Sequence, residues 1–230
     1  MKSFKVLDWK DDLKADKVVN FCENAFRVFL IILIIIGIFR NDSINMHHGS
    51  LLYHSIMTLS MTFILGTIQR LTKTKIIAEF RIFFLVFLFI SQFLGEVMDF
   101  YETVPWWDKM AHIASSFMLT IVGYIIVYMM TDHDDPQKKI NLTFASLFAY
   151  SFSLMIGSIW EVFEYFMDSV FGFNMQRSGL VDTMIDMIIC VFASLVICII
   201  YIYDIKKGKS SFVTRSITKF VTKNKNNDRR

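Results

Sequence analysis

The residues best suited to chemistry are acidic side chains and one histidine in the second half of the chain. They lie near the ends of three apolar segments, at Asp108, His112, Glu161, Glu164, Asp182 and Asp186. Ionisable groups at or below a membrane surface are costly to place there, so they need partners and usually belong to a functional site. Carboxylates combined with one imidazole suit a divalent cation such as Mg²⁺, Mn²⁺ or Zn²⁺.

Each side chain of this set has a predicted role. The candidate metal ligands are Glu161, Glu164, Asp182 and Asp186. The candidate catalytic residues are His112, Asp108, Lys109 and Arg177. We expect His112 to act as a general base, and Lys109 or Arg177 to contact an anionic group, while the cation polarises a phosphoryl or acyl group of a lipid headgroup. The chain has no G-x-S-x-G, H-E-x-x-H or P-loop motif, so no sequence motif specifies a reaction.

Six apolar segments must position these side chains. They lie near residues 21–39, 50–69, 77–96, 108–130, 142–165 and 183–203. Each is long enough as a helix, at ~1.5 Å per residue, to cross a hydrocarbon core of roughly 30 Å. The segments are almost continuously apolar, whereas the strands of a membrane barrel alternate over roughly 10 residues. The sequence therefore predicts an all-α fold, a polytopic transmembrane bundle of six spans.

The polar flanks predict the domain organisation and the orientation. Residues 1–20 form the predicted N-terminal arm, residues 21–203 the transmembrane domain and residues 204–230 a basic tail. The arm holds five Lys residues and the tail nine Lys and Arg residues, so both termini are expected to be cytoplasmic and the acidic residues to face outward. In the tail, Val213, Ile217 and Phe220 recur at helical spacing. They favour an amphipathic helix on the inner leaflet, with a disordered basic tail as the alternative.

Small and polar residues recur every four positions in the spans. The series are His54, Thr58, Thr62 and Gly66; Asp108, His112, Ser116, Thr120 and Tyr124; Ala145, Ala149, Ser153, Gly157 and Glu161; and Asp182, Asp186, Cys190, Ser194 and Cys198. Residues four apart form an inclined ridge on a helix, along which small side chains allow close packing. Because the ionisable members lie at the predicted outer ends, we expect them to meet in an outward-facing polar depression. Span three would add Glu96.

Three motifs carry a family resemblance over roughly residues 80–205. The strings VPWWDKMAHIASSF, WEVFEYFMD and RSGLVDTMIDMIICVFAS, in this order, resemble the uncharacterised YjdF-type family of membrane-spanning proteins. In that family a D-K-x-x-H helix start precedes a W-E-x-x-E helix end and a D-T-x-x-D helix start. A looser similarity links the chain to VanZ-like proteins, from which it departs by Glu164 in place of Gln and Asp186 in place of Asn. The resemblance implies a fold and a site, with no established reaction.

Several functions are consistent with these features. A multi-pass protein of the cell membrane has the lipid bilayer as its partner, and its basic residues flank spans instead of lining a groove for nucleic acid. The first hypothesis is a divalent-cation-dependent enzyme acting on a lipid or cell-envelope substrate. The alternatives are a small ion- or solute-binding permease and a non-catalytic envelope stress or resistance factor. Glu161 and Asp186 could also serve only to hydrogen-bond helices together, so the sequence leaves open whether the chain is an enzyme.

Overall fold

The computed structural model describes residues 9–40, 51–131, 141–172, 174–176 and 179–228, with side chains from residue 14 to residue 225. These residues form α-helices and one π-helical segment, and they contain no β-strand. The α-helices are α1 (Trp9–Phe39), α2 (Leu51–Met61), α3 (Ile64–Thr72), α4 (Ala78–Leu88), α5 (Phe100–Thr103), α6 (Trp107–Met130), α7 (Leu142–Phe171), α8 (Leu180–Lys207) and α9 (Phe212–Asp228). The π-helical segment (Phe89–Val97) continues α4.

The prediction of an all-α bundle with six spans is confirmed. Within the described residues, six helical stretches are long and apolar enough to cross a membrane: Lys14–Phe39, Leu51–Thr72, Ala78–Val97, Trp107–Met130, Leu142–Phe171 and Leu180–Lys207. Because α1 begins at Trp9, much of the predicted arm continues into the first span without a break. The division into arm, transmembrane domain and tail, and the orientation of the termini, stay predictions.

The chain divides into two compact units, Met1–Phe100 and Tyr101–Arg230. In the first unit α1 packs against α2 and α4, and the π-helical segment packs against α2. In the second unit α6, α7 and α8 pack against one another in all three pairs, and α9 packs against α6 and α8. The ionisable groups predicted on spans two and three belong to the first unit, where His54 Nε2 lies 3.7 Å from Glu96 Oε2. Those on spans four to six belong to the second unit.

Two arginines within the spans of the first unit bind groups on other helices. Arg81 on α4 donates to both carboxylate oxygens of Glu23 on α1, at 2.9 and 2.7 Å. Arg27, one turn after Glu23, donates to the carbonyl and the hydroxyl of Thr62, at 3.1 and 3.2 Å. Thr62 lies at the break between α2 and α3, where carbonyls lack intrahelical donors. These contacts join the three spans, and the residue spacing within each span does not indicate them.

Small residues bring the helices of the second unit close together. A Cβ atom on Gly123 of α6 would lie only 2.7 Å from the Cα atom of Ala149 on α7. Ala145 and Ala149 are fully buried, and both belong to the small-residue ridge predicted for span five. The ridge therefore lies at a helix contact, and its end points toward the start of α6.

The C-terminal helix α9 packs inside the second unit. Val213, Ile217 and Phe220 are buried, as expected for the apolar face of a helix in contact with α6 and α8. The Asp204 carboxylate accepts hydrogen bonds from the Ser211 amide at 2.8 Å and the Thr214 hydroxyl at 2.7 Å, which fixes the start of α9. The predicted apolar stripe is therefore covered by protein, so it is not open for a lipid surface.

The close approach at Gly123 predicts a specific loss of stability. Gly123→Ala should lower the free energy of unfolding by about 1–3 kcal/mol, because the new methyl group meets the α7 backbone. The matched variant is Gly66→Ala in α3, where an added Cβ has no atom within 4 Å. It should be neutral or stabilising by up to about 1 kcal/mol. Unfolding of the two purified variants in detergent measures the difference, and equal stabilities would contradict this packing.

Candidate metal centre

The candidate site lies where the start of α6, the second half of α7 and the start of α8 meet. We call its members the acidic cluster: Asp108, Lys109 and His112 on α6, Glu161 on α7, and Asp182 and Asp186 on α8. Positions four apart lie on the same side of a helix, so the pairs Asp108/His112 and Asp182/Asp186 each face the same neighbours. Three helices thus supply ionisable groups to one place.

The connection between α7 and α8 determines where the acidic residues at the start of α8 lie relative to those on α7. Helix α7 continues to Phe171, six residues beyond its predicted end at Tyr165, and ends at Gly172, whose φ of 72° is in the left-handed region. Asp168 accepts hydrogen bonds from the amides of Met175 and Gln176, at 2.7 and 2.9 Å. The Gln176 side chain then donates to the Thr183 hydroxyl at 2.6 Å. This turn ties the start of α8 to the end of α7.

Lys109 is bound by three carboxylates. Its Nζ atom lies 2.6 Å from Asp182 Oδ1, 3.0 Å from Asp186 Oδ2 and 3.0 Å from Asp108 Oδ2. An ammonium group has three donors, so all of them point to acidic oxygens in this geometry. Lys109 therefore links α6 to α8, and the anion contact predicted for it would require the side chain to leave these partners.

His112 is buried among the remaining acidic oxygens. Its Nε2 atom lies 3.5 Å from Asp108 Oδ1, 3.7 Å from Glu161 Oε1 and 4.0 Å from Asp186 Oδ2. These distances exceed the 2.7–3.2 Å that is usual for an N–H···O bond, so none of the three oxygens makes a hydrogen bond of normal length to the ring. On the other side of the ring, Nδ1 lies 3.7 Å from the Cys190 thiol.

The spacing of these donors fits a single cation. Donor atoms of Asp108, His112 and Asp186 all lie within 4.8 Å of one another. Protein ligands bind divalent cations at about 2.0–2.6 Å, so two ligands on opposite sides of an ion are about 4–5 Å apart. Two carboxylates and an imidazole suit Mn²⁺ or Zn²⁺. One ion could therefore bridge the three groups with little movement.

Two carboxylates of the cluster are buried with unsatisfied oxygens. Glu161 is 5% exposed, and neither of its carboxylate oxygens accepts a hydrogen bond of ordinary geometry from the described residues, although the Thr183 hydroxyl is near enough to interact with it. Asp186 is 1% exposed, and its Oδ1 atom has no described donor either. Burial of an ionised carboxylate is costly unless a donor or a cation compensates it. These oxygens point to a ligand at the cluster.

The charges of the cluster do not balance. Asp108, Glu161, Asp182 and Asp186 bring four carboxylates against the single ammonium of Lys109. If all four are ionised, three negative charges remain before any charge on His112 is counted. Carboxylates this close need a bound cation, protons or further positive groups. The described residues therefore form a site with a strong electrostatic preference for a cation.

Two of the predicted site residues are not members of the acidic cluster. Glu164 is buried one turn after Glu161, and its Oε1 atom accepts a hydrogen bond from the Trp160 indole at 2.9 Å. The group of three donors that one ion could bridge contains Asp186 but not Glu161, Glu164 or Asp182. Arg177 lies outside the described residues. Conversely, Cys190 contacts His112 without having been predicted as a site residue, although its position four residues after Asp186 was a signal.

Hydroxyl groups continue from the cluster along the helix contacts. The Ser194 hydroxyl donates to Ser153 at 2.9 Å, and Ser153 donates to the carbonyl of Ser116 at 3.2 Å. Further along, Tyr124 donates to the Ser146 hydroxyl at 2.8 Å. We call these five residues the hydroxyl column. Its hydrogen bonds join α6, α7 and α8 and so hold the cluster in place.

Comparison with known proteins gives a family and one relative. A family model described as "Predicted membrane protein (DUF2238)" matches residues 25–207. An uncharacterized protein of Thermotoga maritima is 27% identical over 120 residues, which cover 52% of this chain and 60% of the relative. No solved structure matches this chain. The comparisons therefore support a membrane protein without giving it an activity.

The unsatisfied carboxylate of Glu161 predicts that the cation-free site is destabilising. In chelator, Glu161→Gln should raise the free energy of unfolding by about 1–3 kcal/mol, because it removes a buried charge that no hydrogen bond of ordinary geometry stabilises. Glu23→Gln is the matched variant, since it removes a partly buried charge that Arg81 does pair, and it should lower the same quantity by about 1–3 kcal/mol. Reversible denaturation in mixed micelles measures both. A loss of stability in Glu161→Gln would contradict this account.

Proposed function

This chain belongs to the DUF2238 family of predicted membrane proteins, and we propose that it is a divalent-cation-dependent enzyme acting on a lipid or other cell-envelope substrate. One observation carries the proposal. Oxygens of Asp108, Glu161 and Asp186 lie 3.5–4.0 Å from His112 Nε2, and neither Glu161 oxygen accepts a hydrogen bond of ordinary geometry from the described residues. An ion between them would satisfy these groups together.

The geometry favours particular roles in this proposal. Asp108, His112 and Asp186 are the primary ligands. Glu161 lies outside this group of three, but its Oε1 atom is 3.7 Å from His112 Nε2, so a small movement would make it a fourth ligand. His112 then acts through Nε2 as a ligand instead of the general base expected from the sequence. Asp182 holds Lys109 at 2.6 Å and adjusts the charge of the site. The bound ion would polarise a phosphoryl or acyl oxygen of the substrate.

The position in the membrane is part of the same proposal. The positive-inside rule puts the starts of α6 and α8 at the outer leaflet of the cell membrane, within reach of lipid headgroups. The resemblance to YjdF-type and VanZ-like proteins supports the same site, because its motif residues Asp108, Glu161 and Asp186 are members of the acidic cluster. Trp106 and Tyr165 are exposed, as expected for aromatic side chains at the headgroup level.

A second candidate function is an ion- or solute-binding permease. It is favoured by the hydroxyl column, which continues from the cluster along the contacts of all three helices. Intramembrane polar groups of this kind line pathways in transporters, although they also serve to join helices. Ion uptake by protein reconstituted in vesicles, lost in Glu161→Gln, would favour the permease over the enzyme.

The cation site predicts a pattern of binding losses. Purified full-length protein should bind Mn²⁺, and Asp186→Asn, His112→Gln and Glu161→Gln should each weaken binding by about 10-fold to 100-fold or more, because each removes a donor. Isothermal titration calorimetry in detergent measures the affinities. The amount of folded protein should stay constant in all three variants.

The matched control is Asp204→Asn at the far end of α8. One oxygen of Asp204 accepts both the Ser211 amide and the Thr214 hydroxyl, so an Asn side chain keeps both bonds while it removes a buried carboxylate. Its Mn²⁺ affinity should equal that of the wild type. Equal loss in Asp204→Asn and Asp186→Asn would mean that overall charge or folding, and no local site, controls binding.

The proposed orientation predicts which ends of the helices are accessible. In a variant without native cysteines, Asn174→Cys between α7 and α8 should react with a membrane-impermeant maleimide on intact cells. Ser210→Cys, between α8 and α9, should react only after the membrane is permeabilised. Both positions are exposed in the structure, so side-chain burial does not confuse the comparison. The opposite labelling pattern would place the acidic cluster at the cytoplasmic leaflet.

A further inference from the structure

We propose that Lys109 is a built-in competitor for the cation, which occupies the acidic cluster until a divalent ion displaces it. The inference rests on the cation site proposed above and adds its regulation. A tethered ammonium would set the concentration at which the ion binds. Its release would also make the site ready for an anionic substrate group only after the ion has bound.

Lys109 and the ion would use the same carboxylates. Two of the three groups that could bridge an ion, Asp108 and Asp186, are also hydrogen-bonded to the Lys109 ammonium at 3.0 Å each. Asp186 Oδ2 faces both the ammonium at 3.0 Å and His112 Nε2 at 4.0 Å. The ammonium and a bound ion would therefore share an oxygen in the centre of the cluster.

Electrostatic repulsion makes the two cations compete for the same oxygens. An ion bonded at about 2.0–2.6 Å to Asp108 and Asp186 would lie within roughly 5–6 Å of the ammonium. Like charges at this separation repel strongly where water is scarce. The ion also withdraws negative charge from the oxygens that hold Lys109. Binding of the ion should therefore release the ammonium from at least part of its contacts.

Lys109 is able to leave. Its side chain is 21% exposed, in contrast to the 1% of the Asp186 side chain that it contacts. A lysine stem is flexible and carries a compact, strongly hydrated charge. Once released toward the open side, the ammonium is free to contact a phosphate or carboxylate of the substrate. This order of events restores the anion contact predicted from the sequence, and restricts it to the cation-bound state.

The matched experiment removes one lysine charge at the acidic cluster and, as a control, one lysine charge far from it. Mn²⁺ affinity is measured for the full-length wild type, Lys109→Met, Lys109→Arg and Lys207→Met. Lys109→Met should bind Mn²⁺ about tenfold more tightly or better, because the competing charge is gone. Lys109→Arg keeps that charge and should stay near the wild type. Lys207→Met, at the exposed far end of α8, controls for the loss of one positive charge.

A second measurement does not depend on the folding of a Lys109 variant. The wild type is treated with a water-soluble amine-acylating reagent, with and without saturating Mn²⁺, and the modification of Lys109 is quantified by mass spectrometry. The fraction modified should rise several-fold with Mn²⁺, because the ammonium leaves its carboxylates. His112→Gln should abolish the rise.

The outcomes separate this inference from the proposed function. If the wild type binds Mn²⁺ and His112→Gln does not, while Lys109→Met binds equally or less tightly, the competitor role is wrong and the cation site stands. Unchanged or reduced Lys109 acylation with Mn²⁺ would also overturn it. If neither the wild type nor Lys109→Met binds Mn²⁺, the cation site fails and the competitor role fails with it.

Discussion

The second unit is constrained by four neighbouring carboxylates and a single lysine ammonium, which contacts three of them. Glu161 and Asp186 are buried, and buried ionised groups must be compensated locally because water screens them little. Lys109 compensates part of the charge and joins α6 to α8 through contacts of 2.6–3.0 Å. Glu161 on α7 receives no such contact from a described residue. The rest of the unit keeps these groups together in spite of their repulsion.

The packing below the cluster supplies the opposing stability. The contact of Gly123 with Ala149 and the hydrogen bond from Ser194 to Ser153 hold the three helices at close range. The first unit shows a different use of charge, because Arg81 satisfies both oxygens of Glu23. A fully paired group of this kind joins helices and needs no ligand. The unsatisfied oxygens of Glu161 distinguish the acidic cluster from it, and proteins tolerate such sites chiefly where a ligand completes them.

Sequence periodicity was sufficient for the fold and for much of the cluster. Apolar length predicted the six spans, and the spacing of four predicted that His112, Glu161 and Asp186 lie on facing sides of their helices. The sequence analysis did not predict the break at Thr62, because the donor that caps it, Arg27, comes from another span. Contacts between helices depend on how each helix is rotated about its axis and how far it is shifted along that axis. The residue pattern of a single helix does not contain this information.

The same limit applies to individual residues of the site. Lys109 was expected to contact an anion, but the facing acids come from α8, 73 and 77 residues later in the chain. Glu164 lies on nearly the same side of α7 as Glu161, so its position is consistent with a ligand. Its carboxylate instead accepts a hydrogen bond from the Trp160 indole of the same helix. In both cases the residue type was informative, and the partner was determined by the tertiary structure.

The central claim is that a divalent cation binds between α6, α7 and α8. The most direct measurement is anomalous diffraction from crystals of the full-length protein grown with Mn²⁺, with data collected near the manganese absorption edge. The claim predicts one strong anomalous peak at about 2.0–2.6 Å from donor atoms of Asp108, His112 and Asp186. A map with the side chains ordered and no peak among them, or with Mn²⁺ bound only elsewhere, would contradict it.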